Sequence, residues 1–159
     1  MDANVVAAES GMLIRRPVED VFQALVDPEI TTRFWFTSST GKLEAGKRIR
    51  WDWEMYGHSA DVDVDAVEEN ERIVLRWPAY EGGGQTTVTW TFTARPHGTT
   101  FVAVSNSGFT GDPDAIARQA VAATGGFTLV LAGMKALLEH GIELGLVRDR
   151  FPVDLDDRR

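Results

Sequence analysis

The chain has 159 residues, 43% hydrophobic and 25% charged, which suits one soluble globular domain and excludes a disordered chain. A formal net charge of −8 argues against a nucleic-acid partner, because phosphates are met by clustered Lys and Arg. The absence of cysteine removes disulfides, thiolate metal sites and thiol nucleophiles, and with no basic leader or long apolar run a cytoplasmic protein that does not insert in membranes is expected.

Residues 5–14 predict a first strand, and Pro17 stands where it can open a helix at its first turn. In "PVEDVFQALVDP" Val18, Val21, Phe22 and Leu25 recur at i, i+3, i+4 and i+7, the spacing of a short amphipathic helix that Pro28 ends. "EITTRFWF" predicts an irregular helical turn that delivers Phe34, Trp35 and Phe36, before the turn-rich "GKLEAGKR". In "RIRWDWEMYGHSADVDVD", Ile49, Trp51, Trp53 and Met55 share one strand face, while Arg48, Arg50, Asp52 and Glu54 take the other. A two-residue Tyr56-Gly57 turn pairs Arg50 with Asp63, Arg48 with Asp65, Trp51 with Val62 and Trp53 with Ala60, and it turns His58 inward. A tryptophan set against an alanine leaves room, which another element or a ligand has to fill.

A turn near Glu69-Asn70 pairs Ala66 with Ile73, Val64 with Leu75 and Val62 with Trp77, so the inner face continues onto a third strand. After the "PAYEGGGQ" loop, "TTVTWTFTAR" alternates cleanly, with Val88, Trp90 and Phe92 inward and threonines outward. A three-residue Pro96-His97-Gly98 loop opposes Phe92 to Val102 and Trp90 to Val104, which keeps the apolar faces together and places Asn106 inward opposite Val88. From Asp112 the period becomes helical, with an interruption expected at Gly125-Gly126 and a stripe of Phe127, Leu131, Met134 and Leu138 beyond it. The sequence predicts one domain over residues 1–159, with its core at about 5–145 and a polar, fraying tail over 146–159.

This order predicts an α+β fold, a curved antiparallel sheet wrapped around a long C-terminal helix with two short helices near the N-terminus. A sheet closed around one helix encloses a cavity unless side chains fill it.

Motifs for catalysis or metals are sparse. "DVDVD" mimics the start of a calcium loop, but Ala66 and Arg72 occupy the positions that require Gly and Glu, and a charged outer strand face accounts for the run. "GGGQ" lacks the Lys-Ser/Thr of a phosphate loop and precedes a strand. No G-x-S-x-G elbow is present, and His58, His97 and His140 are scattered, so neither a metal site nor a cofactor is expected.

Four stretches, "IRRPVEDVFQALVDPEITTRFW", "VDAVEENERIVLRW", "TTVTWTFTARPHGTTFVAVSNSGF" and "GGFTLVLAGMKALLEHG", resemble the helix-grip superfamily of START domains, birch-pollen-allergen-like proteins and polyketide cyclases. Within it they most resemble the branch named for the activator of the 90-kDa heat-shock protein ATPase, over most of Met12 to Gly141. That activator carries an additional amino-terminal domain for which this chain has no room, and family members often place a tryptophan where this chain has Phe127. The resemblance implies an apolar or aromatic, lipid-like small molecule held between sheet and helix. A heat-shock ATPase chaperone is the alternative partner, and a cyclase- or hydratase-like reaction in the same cavity is a third reading.

Candidate ligand contacts are Trp35, Trp51, Trp53, Met55, Trp77, Trp90 and Phe92 from the sheet side, and Phe127, Leu131 and Met134 from the helix, all of which equally suit a packed core. His58 and Asn106 are the polar candidates, since an inward polar group bonds either to the protein or to a ligand.

Overall fold

The structure, a computed structural model, describes residues 6–152. In chain order the elements are β1 (Ala8–Ile14), α1 (Val18–Val26), α2 (Pro28–Thr31), β2 (Ser38–Ser39), β3 (Arg48–Trp53), β4 (His58–Glu68), β5 (Arg72–Pro78), β6 (Gln85–Arg95), β7 (Thr99–Ser107), α3 (Pro113–His140) and α4 (Leu146–Arg150). All seven strands are antiparallel in one sheet, ordered β1-β7-β6-β5-β4-β3-β2. The expected α+β helix-grip architecture is present, but the sheet does not close: β1 and β2 are its free edges, at opposite ends of the order.

The inner face is built from strand alternation, which buries Ile49, Trp51 and Trp53 on β3, Ile73 and Leu75 on β5, and Val88, Trp90 and Phe92 on β6. Against this face α3 lays Phe127, Val130, Leu131, Met134 and Leu137. Asp112 opens α3 by accepting the Ala115 N–H at 2.8 Å, and Gly141 closes it in the left-handed conformation, φ 66°. By length and composition α3 would also span a bilayer, which the sequence reading missed; here its apolar stripe is the inner wall of the domain. Gly133 allows close approach, because a Cβ there would sit 3.4 Å from the Phe34 Cβ and 3.5 Å from the Phe34 carbonyl oxygen.

Several expectations are corrected. The first hairpin is shifted by two residues: Arg48 faces Asp63, Arg50 faces Asp61, Trp51 faces Ala60 and Trp53 faces His58. Glu54–Tyr56 winds a single 3-10 turn closed by left-handed Gly57, so the loop has four residues instead of two and Met55 leaves the strand. A shift of two preserves every face, so the inward tryptophans are unaffected. In the second hairpin Val64 faces Leu75 as expected, but a bulge between Val64 and Ala66 sets Ala66 against Val74 and Val67 against Ile73. The pairing stops at Asp63–Arg76, short of the expected Val62–Trp77. The third hairpin matches its predicted register, with Phe92 opposite Val102, Trp90 opposite Val104 and Asn106 opposite Val88.

Gly125-Gly126 does not interrupt α3, which runs unbroken for 28 residues. Each glycine costs a helix only about 1 kcal/mol, and a long packed helix absorbs that. Nor does the tail fray throughout, since α4 forms where a polar coil was expected. Strand β2 was not foreseen, and β1 begins at Ala8; Val5, where the sequence reading starts it, lies outside the described residues.

One polar clip ties the end of α3 to β1. The buried Glu139 carboxylate accepts the Arg15 N–H at 2.9 Å and the Lys135 ammonium at 2.7 Å, and Lys135 also donates to the Leu13 carbonyl at 2.7 Å. Burial pushes the Glu139 carboxyl up, but the Lys135 and Arg15 hydrogen bonds outweigh it and hold the group below its usual value. Replacing Glu139 with alanine strands Lys135 and the Arg15 N–H, and is expected to lower unfolding free energy by about 1–3 kcal/mol in chemical denaturation; an unchanged midpoint would show the clip to be dispensable.

Outside, opposite charges meet as expected but with other partners. Arg48 binds Asp63 at 2.8 Å and Arg76 binds Asp65 at 2.7 Å, while Arg50 reaches Asp52 on its own strand at 3.0 Å. Hydrogen bonds from Arg48 and Gln85 lower Asp63 to about 2, and those from Ser59, Ser38 and Arg50 lower Asp52 to about 2, both from an ordinary 3.8. Because the folded values are depressed, the stability these groups contribute is complete above pH ~4 and is lost as pH falls toward 2. Thermal melts are therefore expected to drop between pH 4 and 2, and Asp63→Asn is expected to flatten part of that slope.

Candidate ligand-binding site

Trp35, carried inward by the loop after α2, is the hub of an aromatic cluster. Its ring centroid lies 4.9 Å from Trp51, 5.7 Å from Trp90, 5.9 Å from Trp77 and 6.1 Å from Phe127. Trp77 of β5 and Phe127 of α3 stack on one another, their planes within 19° of parallel and their centroids 5.9 Å apart, and both rings contribute to one wall.

Beside that wall is an apolar pocket of about 200 Å³. Ala123, Gly126, Phe127 and Val130 recur on one face of α3 and form its helical side. Gly126 matters through what it lacks: a Cβ there would meet nothing within 4 Å, so the pocket stands open at that position. α4 forms the remaining side, bringing Val147, Arg150 and the following Phe151 to the lining. The Tyr56 hydroxyl fastens it, sharing its proton between the carbonyls of Val147 and Arg148 and accepting the Phe151 N–H at 3.4 Å. A second, more polar pocket of about 200 Å³ lies across α4 and shares Trp35 and Val147 with the first.

Of the residues singled out in the sequence, Trp35, Trp77 and Phe127 line the apolar pocket, and Met55 lines the polar one beside Trp35. Trp51, Trp53, Trp90, Phe92, Leu131 and Met134 are buried in the core behind them. The Trp90 indole N–H has no acceptor among the described residues, and its ring touches Trp35 and Phe127. Asn106 is buried and donates to the Thr87 carbonyl at 2.9 Å, a bond within the protein. His58 lies on the inner face, paired with Trp53 and with its ring 5.5 Å away, but at the start of β4 it is exposed and lines neither pocket. The lining residues outside the sequence candidates are Tyr56, Ala123, Gly126, Leu129, Val130, Val147, Arg150 and Phe151; of these only Gly126, in a glycine pair within an apolar helix, carries a local signal, and that signal predicts a helix break.

The sequence matches the model of the activator of Hsp90 ATPase homolog 1-like proteins over residues 15–139. The chain belongs to that family. No curated protein matches it. Among solved structures, one similar to this member of the family is a protein from Staphylococcus saprophyticus, 29% identical, covering 87% of this chain and 96% of that one with a TM-score of 0.74. The Aha1 dimer from Colwellia psychrerythraea is 19% identical, covers 86% and 98% of the two chains, and has a TM-score of 0.72. The di-domain ARO/CYC protein BexL from the BE-7585A biosynthetic pathway is 17% identical; 84% of this chain covers 46% of that one, with a TM-score of 0.75. These last two share the fold.

Proposed function

We propose that this family member binds an apolar, aromatic small molecule in the pocket between the sheet and α3, with no catalytic step. The observation that carries the reading is an apolar pocket that the stacked Trp77 and Phe127 rings both line and that is left open at Gly126. An apolar cavity of roughly 150 Å³ takes up benzene, so about 200 Å³ suits one or two fused rings. Binding rests on burial of ring surface at ~25 cal/mol/Å². A reaction driven by His58 is disfavoured, because that side chain is exposed and is not among those lining the pocket.

Native mass spectrometry of the purified protein, set against the same sample under denaturing conditions, tests the reading. A reproducible small-molecule adduct that disappears on denaturation is the expected result. A bare protein that also fails to take up added aromatic compounds would remove the proposal.

The family's name supplies the second reading, a partner of a heat-shock ATPase, with the acidic surface, net charge −8, meeting a basic patch. Stimulation of the ATPase rate of the organism's own chaperone would establish it; no stimulation and no co-purification would remove it.

A further inference from the structure

Resting on the pocket reading, we propose that the ligand is a planar aromatic molecule bearing an anionic group, with its rings on the Trp77–Phe127 wall and its charge at Arg150. Arg150 is the one charged side chain among the described residues that line the pocket. In this acid-rich chain, with 24 Asp and Glu against 16 Lys and Arg, most arginines from Arg16 to Arg148 stand beside a carboxylate. Arg150 has no such partner among the described residues.

Its guanidinium lies over the Phe151 ring, 4.4 Å from the centroid, so the cation is held at the pocket lining by a contact that leaves its N–H donors free of acidic partners. The other polar group nearby, the Tyr56 hydroxyl, is occupied by backbone bonds to α4. A guanidinium meets a carboxylate with two parallel hydrogen bonds, a geometry that suits a ring acid packed against the aromatic lining. The surrounding surface repels anions in general, and Arg150 gives one kind of anion a place to settle. Neutral aromatic compounds of the same shape gain only the ring contacts.

The test compares 2-naphthoate with its neutral analogue 2-naphthamide by quenching of tryptophan fluorescence at pH 7, in the wild type and in Arg150→Gln, Arg150→Lys and Gly126→Leu. The acid is expected to bind the wild type about three- to tenfold more tightly than the amide. That preference is expected to shrink with added salt, to vanish in Arg150→Gln and to persist in part in Arg150→Lys. Equal affinities in the wild type, or a preference that survives Arg150→Gln, overturn the inference while leaving the pocket in place. If neither compound binds, or if Gly126→Leu changes nothing, the pocket reading falls and the inference falls with it.

Discussion

Replacing Gly126 with leucine is expected to abolish ligand uptake while raising the melting temperature. The two effects have separate origins at one position. A glycine in a helix interior is about 0.5–1 kcal/mol less favourable than leucine, and here nothing lies within 4 Å to clash with an added Cβ. The same side chain projects into a pocket of about 200 Å³ and removes the space a ring would occupy. Gly125 is the matched control, because its Cβ would also meet open space but it does not line the pocket. Gly125→Leu should therefore gain stability and keep binding, at least tenfold above the Gly126 variant. If Gly126→Leu binds as the wild type does, the pocket is not where the ligand sits.

The largest loss of stability is expected from Trp35→Ala. Trp35 is 6% exposed and its ring meets Trp51, Trp53, Trp77, Trp90, Phe36 and Phe127, so truncation opens a cavity bounded by rings from the sheet and α3. Tryptophan truncations in cores cost about 3–5 kcal/mol, which for a chain of this size lowers the melting temperature by roughly 6–20 °C. Trp77→Ala gives the contrast. Trp77 is only partly buried and forms the pocket wall, so the expected loss is about 1–2 kcal/mol together with most of the binding. Equal destabilisation by the two would mean that Trp35 is no hub, and intact binding after Trp77→Ala would put the ligand elsewhere.

Much of this arrangement was legible before any coordinates, and the reason is the two-residue period of strands. Trp51, Trp53, Trp90 and Phe92 reach the inner face whatever the register, provided errors come in twos, as the shift of the first hairpin did. The β6–β7 register was legible in detail because Pro96-His97-Gly98 has a defined turn chemistry, with His97 and Gly98 both at positive φ. Glu54–Tyr56 has no comparable signature, and its 3-10 turn takes Met55 out of the strand and leaves His58 at the exposed strand end. The candidate site was legible only in its Trp35, Trp77 and Phe127 part. Its other side is α4 and the following residue, where Val147 and Phe151 are set among charged residues and meet Tyr56, 91 residues before Val147 in the chain. No local pattern encodes a contact of that separation.

The strand order also imposes a schedule on the nascent chain. The strands from β3 to β7 join neighbours in sequence and can zip together one hairpin at a time as they leave the ribosome. β1 has no such option: its first residue, Ala8, pairs with Asn106, so the earliest strand made has to wait for the last. Its inward side is then covered by α3, which is made later still. Until residue 140 has emerged, Trp51, Trp90 and their neighbours face solvent or a chaperone, and the step that ends this exposure closes a loop of almost the whole domain. The domain therefore closes only once β1, β7 and α3 are all available.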